Sequence, residues 1–160
     1  MDFIFASFIK LKEYCEAEDF KGWDPYDGLN SNILQNTPFK HWSFPRLAWI
    51  QLFKRNPVNL RRLLLIPKGH NPKALGLFVT GYSNLYQLAE QGEEQFGTCE
   101  EIKEKIQYLA DLLVELRTEG YSGACWGYNF DLQSNAFFLP KITPTVVATS
   151  FVADALLNAY

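Results

Sequence analysis

The sequence predicts an all-α fold built of helical hairpins. Three observations carry that expectation. Apolar residues recur at helical spacing over several long stretches. Helix-opening residues (Asn, Thr, Pro) stand ahead of those stretches. No run reads convincingly as a strand.

The first helix is expected over 2–17, where Phe3, Ile4, Phe8, Leu11 and Tyr14 share a face. Residues 18–44 are rich in Asp, Asn, Gly, Pro and Ser and read as a long loop with a turn of helix near 29–35. Loops of that length inside a domain are more often functional. Pro45 opens the next helix, 45–55, and Asn56-Pro57 breaks it. A short helix is expected over 58–66, ending at Pro67. Asn71 then caps, and Pro72 begins, a helix running to about residue 91. Its Gly76 and Gly81 each cost roughly 1 kcal/mol against Ala in a helix interior. With Ala74 and Ser83 they would admit a close neighbouring backbone, so this helix is expected to be the inner one.

Thr98 or Cys99 opens a helix over 100–118 whose acidic first turn suits the helix dipole. Ile102, Ile106, Leu109, Leu113 and Leu116 form its apolar stripe. A second long loop spans 120–142. Thr143-Pro144 introduces the last helix, which begins with the β-branched Val146 and Val147 but continues with Ala/Leu spacing. Successive hairpins of this kind fit an α/α toroid or another helical array. The final "ADALLNAY" carries no C-terminal glycine, basic turn or polar tail. Residues 1–160 are therefore expected to be a single helical domain that is an N-terminal portion of something longer, or half of an oligomer joined through the C-terminal helix.

Composition sets limits. Of 160 residues 48% are apolar and 16% aromatic, enough for a real core. A net charge of −3 provides no basic field for nucleic acid. "FIFASFI" is too short for a membrane span and lacks a cleavage site. Cys15, Cys99 and Cys125 are odd in number and widely spaced, which suggests reduced thiols and a cytoplasmic protein. With His41 and His70 they form no metal-ligand spacing, so neither zinc nor another cofactor is expected.

The two loops answer each other. Trp23, Asp24, Tyr26 and Asp27 in one match Trp126, Tyr128 and Asp131 in the other by composition. An aromatic face beside a carboxylate suits a sugar ring: C–H groups stack and hydroxyls donate. If 45–55 and 58–66 are antiparallel helices, the chain reverses an even number of times and both loops open on one rim.

"GWDPYDGLNS", "NPKALGLFVTGYSNLY" and "WGYNFDLQSNAFFLPKITPTVVATSFVADALL" resemble stretches of a poorly characterised bacterial family. That family has a toroid similar to the six-hairpin glycosidases and accompanies polysaccharide biosynthesis. The resemblance covers most of the chain and implies about the first half of such a toroid.

Each candidate has two readings. Asp131, with Gln133 nearby, would serve as acid/base or substrate-orienting group, and Asp24 or Asp27 as the second carboxylate. All three aspartates could equally cap turns. Trp23, Tyr26, Trp126 and Tyr128 would be stacking walls, or core residues plugging hairpin ends. Lys68, His70, Asn71 and Lys73 suit either an anion at a helix start or a solvated loop. The leading functional expectation is binding or processing of a carbohydrate, by hydrolysis or a related reaction if it is an enzyme. The alternative is a non-catalytic helical scaffold. A cyclase acting on an isoprenoid fits the aromatic content but lacks adjacent aspartates.

Overall fold

The computed structural model describes residues 2–160; Met1 of the expected domain, and the side chain of Asp2, lie outside the described residues. The protein is mostly helical: α1 (Asp2–Ala17), α2 (Asn32–Gln35), α3 (Ser43–Arg55), α4 (Pro72–Glu90), α5 (Cys99–Glu115) and α6 (Val146–Ala159). A two-stranded antiparallel hairpin, β1 (Leu132–Gln133) with β2 (Phe138–Leu139), was not expected from the sequence.

Helix α4 is the inner helix, packed against both α5 and α6. Leu75 and Val79 of α4, Leu109 and Leu113 of α5, and Val152 and Ala155 of α6 are fully sealed from solvent. Gly76 is where α6 comes close: a Cβ there would lie 3.1 Å from the Phe151 carbonyl oxygen. Gly81 faces open space instead. The caps explain where the helices begin. Asn71 Oδ1 accepts the Lys73 N–H, and Thr98 with Glu101 forms a reciprocal capping box. The last helix is capped by Thr145, two residues later than Thr143, because Pro144 is held in a bridge with Gly127.

Helix α1 forms as expected, but its apolar face is not buried. Phe5 and Phe8 meet Phe96, and Cys15 reaches the core, while Phe3, Ile4, Leu11 and Tyr14 remain exposed. The helix ends in two consecutive left-handed residues, Asp19 and Phe20, with the Phe20 N–H donating to the Cys15 carbonyl. That reversal turns the Phe20 ring onto Phe78 and Tyr82 of α4.

Residues 58–66 are not a helix. Asn56 and Asn59 accept the Val58 and Arg61 N–H groups with their side chains, so the backbone turns locally rather than propagating a helix. Leu65 adopts φ 52°, and Ile66 is drawn into the interior. The antiparallel pair that was to bring the two loops to one rim is therefore absent, and their meeting has another cause. A small second core of Leu29, Leu34 and Ile50, backed by Trp49, packs the first loop against α3.

Candidate functional site

A cavity of about 520 Å³ lies between the first loop, the 59–69 segment and the start of α4. Gly22 and Gly69 exchange backbone hydrogen bonds of 3.1 Å, clamping the first loop to the segment before α4. The second loop reaches the same place: Asn30 Nδ2 donates to the Asn129 carbonyl at 3.0 Å, and Asn129 lines the cavity. Gly69 leaves room for this contact, since a Cβ there would lie 2.8 Å from Asn129 Nδ2.

Trp23 lines the cavity, its indole N–H donating to the Ile66 carbonyl at 3.0 Å. Lys68 Nζ sits 4.9 Å from the Trp23 ring and 2.6 Å from a Glu18 carboxylate oxygen. The Glu18 bond raises the Lys68 ammonium above the usual lysine range.

Asp24 and Asp27 are joined through a turn. The Asp24 N–H donates to Asp27 Oδ2 at 3.0 Å, and the Tyr26 N–H to Asp24 Oδ1 at 2.9 Å. Asp27 is buried and accepts from Arg61 Nε at 2.9 and 3.3 Å, while Arg61 Nη2 donates to the Asp24 carbonyl. Burial pushes the Asp27 carboxyl up, and the Arg61 guanidinium only partly offsets it. Asp24 Oδ2 receives a long 3.4 Å bond from Asn71.

The remaining predicted residues are placed elsewhere. Trp126 is 4% exposed in the helical core, its indole N–H donating to the Leu113 carbonyl at 2.6 Å, and it lines none of the cavities that Trp23, Asp24 or Asp131 line. Gln133 is buried and staples its own hairpin, donating to the Ser134 and Phe137 carbonyls. Tyr26 faces α3, where its hydroxyl accepts from Lys54 at 2.9 Å. Tyr128 stacks on Phe130; burial raises its hydroxyl pKa, with the Asp24 charge adding to the effect. Asp131 Oδ1 accepts the Lys141 N–H at 2.8 Å. It lines a 430 Å³ cavity that shares Asn30, Lys68, Gly69 and Asn129 with the larger one, and a 260 Å³ cavity beside Arg46. Trp23, Asp24 and Asp27 are thus brought together, with Tyr128 within range of the Asp24 charge.

Arg61 and Asn129 were not expected in the site. Arg61 lies 34 positions from the carboxylate it binds, and no local pattern announces that pairing. His70, singled out beside Lys68, instead bonds the Asp19 carbonyl at 2.7 Å and secures the end of α1.

Among the described residues no His, Cys, Asp or Glu cluster could hold a metal ion, and no helix is long and apolar enough to cross a membrane. No family model, curated protein or solved structure matches the chain.

Proposed function

We propose that this protein binds a carbohydrate in the 520 Å³ cavity, with Trp23 as the stacking surface and Asp24, Asn30 and Asn71 as polar contacts. One observation carries the reading: an indole and a carboxylate from the first loop share a concave, mixed polar and apolar space with amides from three segments. The cavity falls within the usual range for small-molecule sites, about 300–1,000 Å³.

Binding is favoured over hydrolysis. Glycoside hydrolysis needs two carboxyl groups free to act on opposite sides of a bond. Asp27 is committed to Arg61 and to the turn, and Asp131 accepts a backbone N–H outside this cavity. The helices would supply part of an α/α toroid whose loops form the ligand-binding rim.

A titration with neutral and charged oligosaccharides, followed by tryptophan fluorescence, tests the reading. The expected result is a saturable change that Trp23→Phe removes and Trp126→Phe leaves in place. A flat response in the wild type across the series would refute it. A second reading, a helical scaffold, is favoured by the exposed Phe3, Ile4 and Leu11 on α1 and Val146 and Leu157 on α6. Sedimentation of the same samples separates the two: a concentration-dependent dimer with no sugar response supports the scaffold.

A further inference from the structure

The cavity's charges are largely settled in pairs. Lys68 holds Glu18 at 2.6 Å, Arg61 holds Asp27 at 2.9 Å, and Lys21 holds Asp19 at 2.8 Å. Among the described residues, Asp24 is the carboxylate lining this cavity that has no ionic partner. Its Oδ1 takes one backbone N–H, and its Oδ2 has only the long Asn71 bond. Ionised, that oxygen can accept more.

Other groups around it point the same way. Asn129 Oδ1 is buried without a hydrogen-bond partner where the two loops meet. Lys68 Nζ already lies 4.9 Å from the Trp23 ring, which leaves that ring to a ligand's C–H groups and leaves Asp24 as the place for a cationic group. The cations that could have attracted an anionic ligand are each held by a carboxylate. What remains unfilled is acceptor capacity beside an aromatic ring, which matches a donor-rich, positively charged ligand.

We infer that the cavity selects an amino sugar, its ammonium group on Asp24 and its ring against Trp23. This rests on the carbohydrate reading above and narrows it to a substrate class. A neutral sugar would leave Asp24 with hydroxyl donors alone. An acidic sugar would set a second negative charge beside it.

Three trisaccharides of the same β-1,4 linkage provide the test: glucosamine, N-acetylglucosamine and glucose. Binding is read from the indole N–H resonance of Trp23, assigned by its loss in Trp23→Phe, so that attraction to the acidic surface elsewhere is not counted. The glucosamine trisaccharide is expected to bind at least roughly tenfold more tightly than the glucose one, the scale of one charge-assisted contact. Asp24→Asn, which keeps an acceptor for the Tyr26 N–H, should erase the difference. Equal binding of all three at Trp23, or an unchanged preference in Asp24→Asn, overturns the amino-sugar inference and leaves carbohydrate binding standing. No shift of the Trp23 signal with any of them overturns both. Wild-type selectivity decides the matter alone if the variant does not fold.

Discussion

Trp23 and Trp126 stand in segments of similar composition, and in both the indole N–H donates to a backbone carbonyl. Their surroundings differ. Residues around Trp126 are joined to helices: Thr149 Oγ1 accepts its backbone N–H, its carbonyl accepts from Thr145, and Leu113 takes its indole. Residues around Trp23 are joined to another irregular segment, through Gly22 with Gly69, Ser31 with Leu64, and Asn32 with Leu65. Helix-to-loop attachment closes over the ring and makes it core. Loop-to-loop attachment leaves space between backbones, and charged side chains fill its walls. A similar aromatic and carboxylate pair lines a cavity in the first loop and not in the second because the backbone on either side of Trp23 is tied to an irregular segment, while that of Trp126 is tied to helices.

The largest test of that contrast is Arg61→Met. Removing one member of a buried ion pair leaves the other charge uncompensated, at a cost of about 3 kcal/mol here, the low end of the usual range because Arg61 keeps some exposure. Urea unfolding should show that loss, and the Trp23 resonance should move while Trp126 stays in place. The deficit has a pH sign. Burial raises the folded Asp27 pKa, so its contribution is full below the ordinary aspartate value, about 3.9, and is lost as pH rises through the folded value. Without Arg61 the ionised form loses its partner, so the gap between variant and wild type should widen as pH rises. A gap that narrows with rising pH would show that the pair does not anchor the loop.

On the other side of the comparison, Gly127→Ala attacks the second loop at its attachment. A Cβ there would lie 2.3 Å from the Thr143 carbonyl oxygen and 2.5 Å from the Ile142 carbonyl carbon, both backbone atoms. Backbone cannot swing aside as a side chain does, so the cost should reach about 3 kcal/mol, the upper end for overpacking. The Trp126 resonance should shift with it. If the urea midpoint is unchanged, the second loop is not fixed to the helices as described.

Legibility in the sequence followed how local each cause was. Helices α4 and α5 could be read because Asn71-Pro72, Thr98 with Glu101, and the Ile102-to-Leu116 stripe act within a turn or two of the residues they organise. Helix α1 was legible as a helix, but the burial of its apolar face was not, because that depends on what lies across from it. The 58–66 segment has leucines at plausible helical spacing, yet Asn56 and Asn59 take its first N–H groups and Arg61 is held inward by Asp27. At the candidate site, the closeness of Trp23 to Asp24 and Asp27 was readable, because it is local. The different fate of the similar pair in the second loop was not, since only tertiary attachment separates them.

The smallest expected effect lies inside α4, where two glycines five residues apart look alike in sequence. Gly76 faces the α6 backbone, and a methyl group there would sit 3.1 Å from the Phe151 carbonyl oxygen. Gly81 is exposed and meets nothing within 4 Å. Alanine at 81 should therefore recover helix propensity and stabilise the protein by roughly 0.5–1 kcal/mol. The same change at 76 gains that propensity but forces α4 and α6 apart, so its net effect should be destabilising by about 1 kcal/mol. Opposite signs in paired urea titrations would extend the contrast between attached and unattached backbone into the helical core. Equal signs would mean that α6 yields to a single methyl group, and that the helical side of the molecule is less tightly joined than the fate of Trp126 implies.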